Sequence, residues 1–206
     1  MDKNMNISNQ DLVEKYLQNI DVKKGKTKKL FAIGFVGLNG AGKSFVAEKL
    51  SKELGLYIAS NDKIRRFLNE EGFEGASPAQ KLVQNIAENS TRFLFENKSS
   101  HILDADLIEF HHIAKKNADA YSAALYIVHL VCPEKLILKR LKDRNLEVKN
   151  SSSSNLSRVG AERYFERKEM HSKLPMPKIF FTIDTSNDVD IQIESLVDKL
   201  NGEKVL

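Results

Sequence analysis

Two hydrophobic rhythms alternate along this chain. Short runs that are apolar almost without interruption, Leu30–Val36, Leu56–Ala59, His101–Leu103, Tyr126–Val131 and Ile179–Ile183, are separated by longer stretches whose apolar residues return every three or four positions. The short runs predict strands and the longer stretches amphipathic helices. The first and fourth runs have almost no polar positions, as expected of central strands covered on both faces. In the predicted helix Lys43–Leu54 the buried stripe is Val46, Leu50 and Leu54. In Pro78–Asn97 it is Leu82, Ile86, Phe93 and Leu94, with Ser77 placed to cap and Pro78 in the first turn. Further helices are predicted over Asp62–Glu71, Pro133–Arg144, Arg158–His171 and Asp188–Leu200. Alternating strands and helices build stacked βα units, so the expected fold is α/β: a three-layer sandwich with an about five-stranded parallel sheet and helices on both faces.

Residues 1–29 stand outside this alternation. Leu12, Tyr16, Leu17 and Ile20 recur at helical spacing within Asp11–Ile20, and Lys23–Lys29 follows with five lysines in seven positions. The stretch reads as a helix and basic linker forming a solvated arm, with contact to an anion or nucleic acid as the alternative. The domain proper is then 30–206. Two segments break its rhythm: Gly72–Pro78, a turn-rich lip, and the Ser-rich Asn150–Asn155, within a lid expected at about 145–160.

Composition narrows the class without naming a function. The chain has 206 residues, 41% of them hydrophobic, enough for a real core, and its 32 basic against 28 acidic residues leave a net charge of only +4. The single cysteine, Cys132, can close no intramolecular disulfide and build no thiolate metal cage, which favours a reducing, cytoplasmic setting. Met1–Gln10 lacks the apolar core of a signal peptide, and no apolar run approaches the roughly 20 residues that cross a membrane.

The sharpest chemical signal is Gly37-Leu-Asn-Gly-Ala-Gly-Lys-Ser44, a full G-x-x-x-x-G-K-S phosphate-binding loop between the first strand and the first helix of the domain. Glycines at 37 and 42 let the backbone approach phosphate oxygens, and consecutive N–H groups at a helix start present positive charge. Lys43 is expected to neutralise the β- and γ-phosphates of ATP, and the Ser44 hydroxyl to ligate Mg²⁺. The nucleotide contacts expected here are Gly37, Leu38, Asn39, Gly40, Ala41, Gly42, Lys43, Ser44 and Phe45.

The remaining motifs decide what happens to the nucleotide. No N-K-x-D motif reads guanine, since Asn97-Lys98 continues Ser99-Ser100, and the third strand ends Asp104-Ala105 without the glutamate that activates water in hydrolytic ATPases. Transfer to an acceptor other than water is the better reading. Asp62, just after the second strand, is placed to take a proton from an acceptor hydroxyl, and Arg65 lies one helical turn later to hold the acceptor. Arg140 and Arg144, also one turn apart, can both face the cleft, with Arg144 assigned to charge on the transferring phosphoryl group. His111 and His112 read as solvated helix residues, and Cys132 as a small buried one.

Together the phosphate loop at 37–44, the D-x-x-R pair Asp62 and Arg65, the Asp104-Ala105 strand end and the R-x-x-x-R pair Arg140 and Arg144 resemble the small P-loop kinases that include the zeta toxins and the kinase domain of bacteriophage polynucleotide kinase. The resemblance implies a P-loop NTPase fold and ATP-dependent phosphorylation of a hydroxyl, with Lys43, Asp62 and Arg144 catalytic. It implies Arg65 and Asp104 on the substrate and Arg140 and Thr185 on the nucleotide, the latter from the adenine-side loop Ile183–Ser186. Where many relatives read Asp-Ala-Thr-Asn, this chain has Asp104-Ala-Asp-Leu107. The acceptor could be a small molecule, a nucleotide-like compound or a nucleic-acid 5′-end. The alternative class is a nucleotide-dependent binding module that contacts nucleic acid or protein through the basic arm.

Overall fold

The computed structural model describes residues 8–23, 27–73, 77–150 and 161–206. Thirteen elements follow in the order α1 (Asn9–Gln18), β1 (Phe31–Val36), α2 (Lys43–Leu54), β2 (Tyr57–Ser60), α3 (Asn61–Glu70), α4 (Ser77–Glu96), β3 (His101–Asp106), α5 (His111–Ala120), β4 (Ala124–Val131), α6 (Glu134–Asn150), α7 (Ala161–Lys173), β5 (Phe181–Asp184) and α8 (Val189–Gly202). The five strands form one sheet, β2-β3-β1-β4-β5, parallel throughout.

Strand β1 occupies the middle of the sheet and every one of its residues is buried. Its alternation explains why the sequence shows no polar face. Phe31, Ile33 and Phe35 pack into one core with α2 and α8 residues such as Val46, Leu50 and Leu196, whereas Ala32 and Val36 enter a second core with Leu103, Ala114 and Ala118. Parallel strands with helices on both faces bring all five carboxyl ends to one edge, where ligands bind in sheets of this kind.

The first helix departs from the expected solvated arm. Ser8 caps it through a reciprocal pair, its hydroxyl accepting from the Asp11 N–H and its own N–H donating to the Asp11 carboxylate. Leu12 is fully buried and Val13, Tyr16 and Ile20 nearly so, in a cluster with Ile64 and Phe67 of α3 and Leu82 and Ile86 of α4. Tyr16 meets Phe67 edge to face with ring centroids 5.2 Å apart. The described part of the linker is tied down as well. Lys28 and Lys29 N–H groups donate to the Val205 carbonyl, and the Ser99 hydroxyl donates to the carbonyl of Lys23. Residues 24–26 lie outside the described set. An apolar stripe this strong cannot remain in water when α3 and α4 offer a matching face.

Other boundaries shift modestly. Helix α6 runs on to Asn150, so the first part of the expected lid is helical; residues 151–160, with most of the Ser-rich flap and Arg158, lie outside the described residues. Strand β3 extends past Leu103 to Asp106, and its pairing with β1 slips between Gly34 and Phe35. That irregularity leaves Asp104 and Ala105 without register partners on β1, and the pairing resumes at Asp106 with Phe35.

His101 opens β3 in complete burial. Its Nδ1 lies 3.1 Å from the Ser99 carbonyl and its ring 4.6 Å from that of Phe95. Because a carbonyl only accepts, Nδ1 carries the proton, and Nε2 is left buried without a partner among the described residues. Burial pushes the imidazole down to about 4, well below its usual 6.5.

Two predictions follow from this packing. Leu12→Ala removes a fully buried side chain and is expected to lower folding stability by about 2–5 kcal/mol in denaturant titrations; a change near zero would mean that α1 does not dock in solution. His101 binds a proton in the unfolded chain at a higher pH than in the folded one. Stability therefore falls as pH drops from about 6.5 towards 4, by up to about 1.4 kcal/mol per pH unit from this group. Urea midpoints measured across that range should fall more steeply towards acid in wild type than in His101→Leu; equal slopes would remove His101 as the source.

Candidate active site

At the carboxyl edge of β1 the chain must turn sharply while packed against β4. A Cβ at position 37 would lie 2.9 Å from the Leu130 carbonyl oxygen, so only glycine fits. Gly40 and Gly42 then adopt left-handed φ values of +86° and +94°. Helix α2 starts directly after Gly42, and no side chain caps it. Its first N–H groups are therefore available to an anion, with the helix dipole behind them.

The loop has two faces. Asn39, Gly40, Gly42, Lys43, Ser44 and Phe45 line a cleft of about 1190 Å³, whereas Gly37, Leu38 and Ala41 face a separate cavity of about 200 Å³ bounded by His129, Cys132 and Ile137. Lys43 curls back so that Nζ donates to the carbonyls of Gly37 at 2.7 Å and Leu38 at 3.1 Å. Burial pushes its ammonium below the usual lysine range, opposed by the nearby Asp106 and Asp104 carboxylates. Phosphate charge would act in the same sense as those carboxylates.

Asp104, expected on the substrate, lines the cleft against the loop. The Ser44 hydroxyl donates to one carboxylate oxygen at 3.2 Å and the Ser60 hydroxyl to the other at 3.3 Å. Burial raises its pKa, and the serine hydrogen bonds and Lys43 hold it back. A carboxylate beside a hydroxyl forms an all-oxygen donor set that suits a hard cation such as Mg²⁺. Thr185, expected on the nucleotide, is engaged by protein partners. Thr185 is buried, donates to the Ala41 carbonyl at 2.9 Å and accepts from Arg140 Nη1 at 2.9 Å, while Arg140 Nη2 donates to the Thr185 carbonyl at 2.7 Å. With its hydroxyl engaged on both sides, Thr185 braces the phosphate loop from beneath. Cys132 is only partly buried and lies 3.5 Å from the same guanidinium.

The structure brings the remaining predicted residues into the same cleft. Asp62 and Arg65 line it and pair with each other at 2.7 Å, and the second Asp62 oxygen has no partner among the described residues. Arg144 also lines it, with Nε and Nη2 buried and unpartnered among the described residues, as expected of a guanidinium shaped for an anion. His112 is exposed and His111 hydrogen-bonds within its own turn; no group of three ligands that could hold a metal occurs among the described residues.

One cluster escaped the sequence reading. Asp106 accepts from Arg167 at 3.0 Å and from His171 at 2.6 Å, and Arg167 also holds Glu109 at 3.0 Å. The hydrogen bond from His171 and the charge of Lys43 keep Asp106 below the usual carboxylate range despite its burial. Asp104 and Asp106 are two apart on one strand and so share a face. The Asp-Ala-Asp run was the available signal, but its partners come from α7, far along the chain.

Comparison with known proteins places this architecture. The fold matches a protein from Chloroflexus aurantiacus thought to be a kinase (TM-score 0.63, 12% identity, covering 84% of this chain and 99% of that one). It also matches a gluconokinase from Sinorhizobium meliloti 1021 (0.54, 14%, 84% and 93%) and the Mycobacterium tuberculosis APS kinase CysC solved with AMPPNP and APS (0.52, 19%, 84% and 98%). No curated protein gives a significant match. The shared core is the five-stranded parallel sheet in the order 2-3-1-4-5 with flanking helices, a P-loop NTPase-like α/β fold. A sequence model of the AAA domain family (AAA_33) matches residues 33–165, from the first strand through the loop, Asp62 and both arginines into α7, and the chain belongs to that family.

Proposed function

We propose that this protein is an ATP-dependent phosphotransferase that moves the γ-phosphoryl group of ATP to a hydroxyl of an acceptor molecule. The observation that carries this reading is a single cleft. It runs from the phosphate loop past Asp62 to a wall formed by α4 and α5, leaving room for a second substrate beyond the end of a bound triphosphate. A hydrolase needs only a water there. Membership of a family with a phosphate loop, and a fold shared with proteins described as gluconokinase and APS kinase, supports the same reading.

In the proposed reaction the acceptor hydroxyl oxygen bonds to the γ-phosphorus as the bond from that phosphorus to the β,γ-bridging oxygen breaks. ADP leaves, and the hydroxyl proton passes to the free oxygen of Asp62, which Arg65 holds in orientation. Lys43 and Arg144 stabilise charge on the phosphoryl oxygens, and the α2 N–H groups hold the phosphates. Ser44 and Asp104 would hold Mg²⁺, which neutralises phosphate charge when bound. Arg140, anchored on Thr185, fixes the nucleotide side of the loop. The spacing of these motifs resembles that of the zeta-toxin and polynucleotide-kinase group of P-loop kinases.

Three variants test the roles. Lys43→Ala is expected to abolish transfer. Asp62→Asn should lower kcat by about 100-fold or more while leaving affinity for a nonhydrolysable ATP analogue nearly unchanged; transfer at the wild-type rate would remove Asp62 as base. Thr185→Val cuts the brace between Arg140 and the loop, and calorimetry should show nucleotide affinity falling about tenfold. An unchanged affinity would mean that the loop holds its shape without the brace.

A further inference from the structure

The charges around the cleft divide into two groups. Arg65, Arg92 and Arg167 each hold a carboxylate within 3.0 Å: Asp62, Glu88, and the pair Asp106 and Glu109 respectively. Lys43, Arg140 and Arg144 have no carboxylate within 4.0 Å among the described residues. Three of the uncompensated cations gather about the phosphate loop; on the α4 wall each arginine is neutralised, and exposed Lys81 is the unpaired cation there among the described residues. A polyanionic acceptor would need several free cations at that end, because an arginine already paired gives up its partner to bind another anion.

What lines the far wall is a lattice of amides and half-used polar groups. Arg92 Nη2 donates to Glu88 at 2.6 Å and its Nε to the Asn117 side-chain oxygen at 3.4 Å. An arginine can only donate, so the Asn117 oxygen must face it, and the Asn117 amide nitrogen is left with no partner among the described residues. Asn117 is only 6% exposed yet lines the cleft, so its side chain is nine-tenths buried and its unpartnered donor belongs to the cleft wall. Asn89 donates to both the carbonyl and the side-chain oxygen of Asn85 at 2.9 and 2.6 Å. That leaves the Asn89 oxygen as an acceptor and the Asn85 nitrogen as a donor. The Asn117 donor, the unused Glu88 oxygen, the Asn85 donor and the Asn89 acceptor together offer both kinds of partner on one wall. A hydroxyl group both donates and accepts, and a row of hydroxyls fits such a wall.

We infer that the acceptor is a neutral, polyhydroxylated small molecule, seated against α4 and α5 with Asn117 as a specificity-determining donor. This rests on the phosphotransferase reading, since it names the partner that receives the phosphate. One hydroxyl points to Asp62 and becomes the phosphate ester, ADP leaving as its oxygen–phosphorus bond forms; the others meet the amide wall. A 5′-hydroxyl polynucleotide is disfavoured because its phosphates would lie against neutralised arginines.

The test is an acceptor competition with Mg-ATP, read by ³¹P NMR and mass spectrometry. One arm contains hexoses, pentitols and free nucleosides; the other contains hexose phosphates, nucleoside 5′-monophosphates and a 5′-hydroxyl oligonucleotide. Phosphate is expected on a compound of the first arm. Asn117→Ala should raise the KM for that compound about tenfold or more with the KM for ATP unchanged. Asn85→Ala, at an exposed position of α4, should act in the same direction and guards against loss of fold in the first variant. Transfer only to the anionic arm overturns the inference and leaves the kinase reading intact, as does a KM for the neutral acceptor that neither variant moves. Saturation-transfer NMR of the neutral arm on Lys43→Ala separates the two readings. Asn117-dependent binding without transfer in wild type would uphold the neutral site and defeat the kinase reading, while neither binding nor transfer would overturn both.

Discussion

The backbone contact between the end of β1 and β4 is the constraint from which the site is built. With β1 buried on both faces and paired on both edges, its chain can leave the sheet only through residue 37, where the Leu130 carbonyl permits no side chain. The turn that follows needs two left-handed residues before α2 can begin, and it ends on a glycine that cannot cap. A helix start without a side-chain cap costs stability unless something fills it. The loop is therefore held in shape from outside by the Arg140–Thr185–Ala41 chain of hydrogen bonds, while the vacant N–H groups point into the cleft. The same steric limit that closes the core thus creates the anion site.

Charge placement then separates the two ends of the cleft. Buried lysine and arginine side chains carry a desolvation cost that an anion offsets, so Lys43 and Arg144, without carboxylate partners within 4.0 Å among the described residues, would favour the bound over the empty form under the proposed function. Ion pairs at the other end have the opposite consequence. Arg167 bridges Asp106 on β3 and Glu109 before α5, and His171 closes on the same carboxylate, so α7 is fastened to the strand that also carries Asp104.

The parts of this arrangement that depend on local pattern could be read from the chain. Strand β1, helix α2 and the loop between them follow from an apolar run, a 3.6-residue stripe and a glycine spacing within twenty-five residues of one another, roughly one βα unit. Asp62 and Arg65, three apart on one helix, were legible for the same reason. What needed distant partners was not. Thr185 carried no mark of its bracing contacts because Arg140 and Ala41 meet it from other elements; Asp106 and Arg167 are 61 residues apart. Helix α1 was misjudged as solvated for a related cause. Its stripe of Leu12, Tyr16 and Ile20 was visible, but the face it covers is made by α3 and α4 together and exists only in the fold.

That misjudged helix bears on how the acceptor wall is held. Helix α4 has two working faces: Leu82, Ile86 and Leu94 enter the cluster that Leu12 and Tyr16 complete, and Asn85, Glu88, Asn89 and Arg92 face the cleft. A 20-residue helix fixed along only one edge could roll and carry its amides out of register. Packing by α1 on one flank and α3 on the other removes that freedom, and α3 is the element that bears Asp62 and Arg65. The proposed base and the proposed acceptor wall are thus set against each other through the apolar contacts of α1, whose Tyr16 also reaches Tyr57 of β2. Loosening α1 should accordingly disturb the acceptor end of the cleft before the nucleotide end, because the brace beneath the loop is built from α6 and the β5 terminus and does not pass through α1.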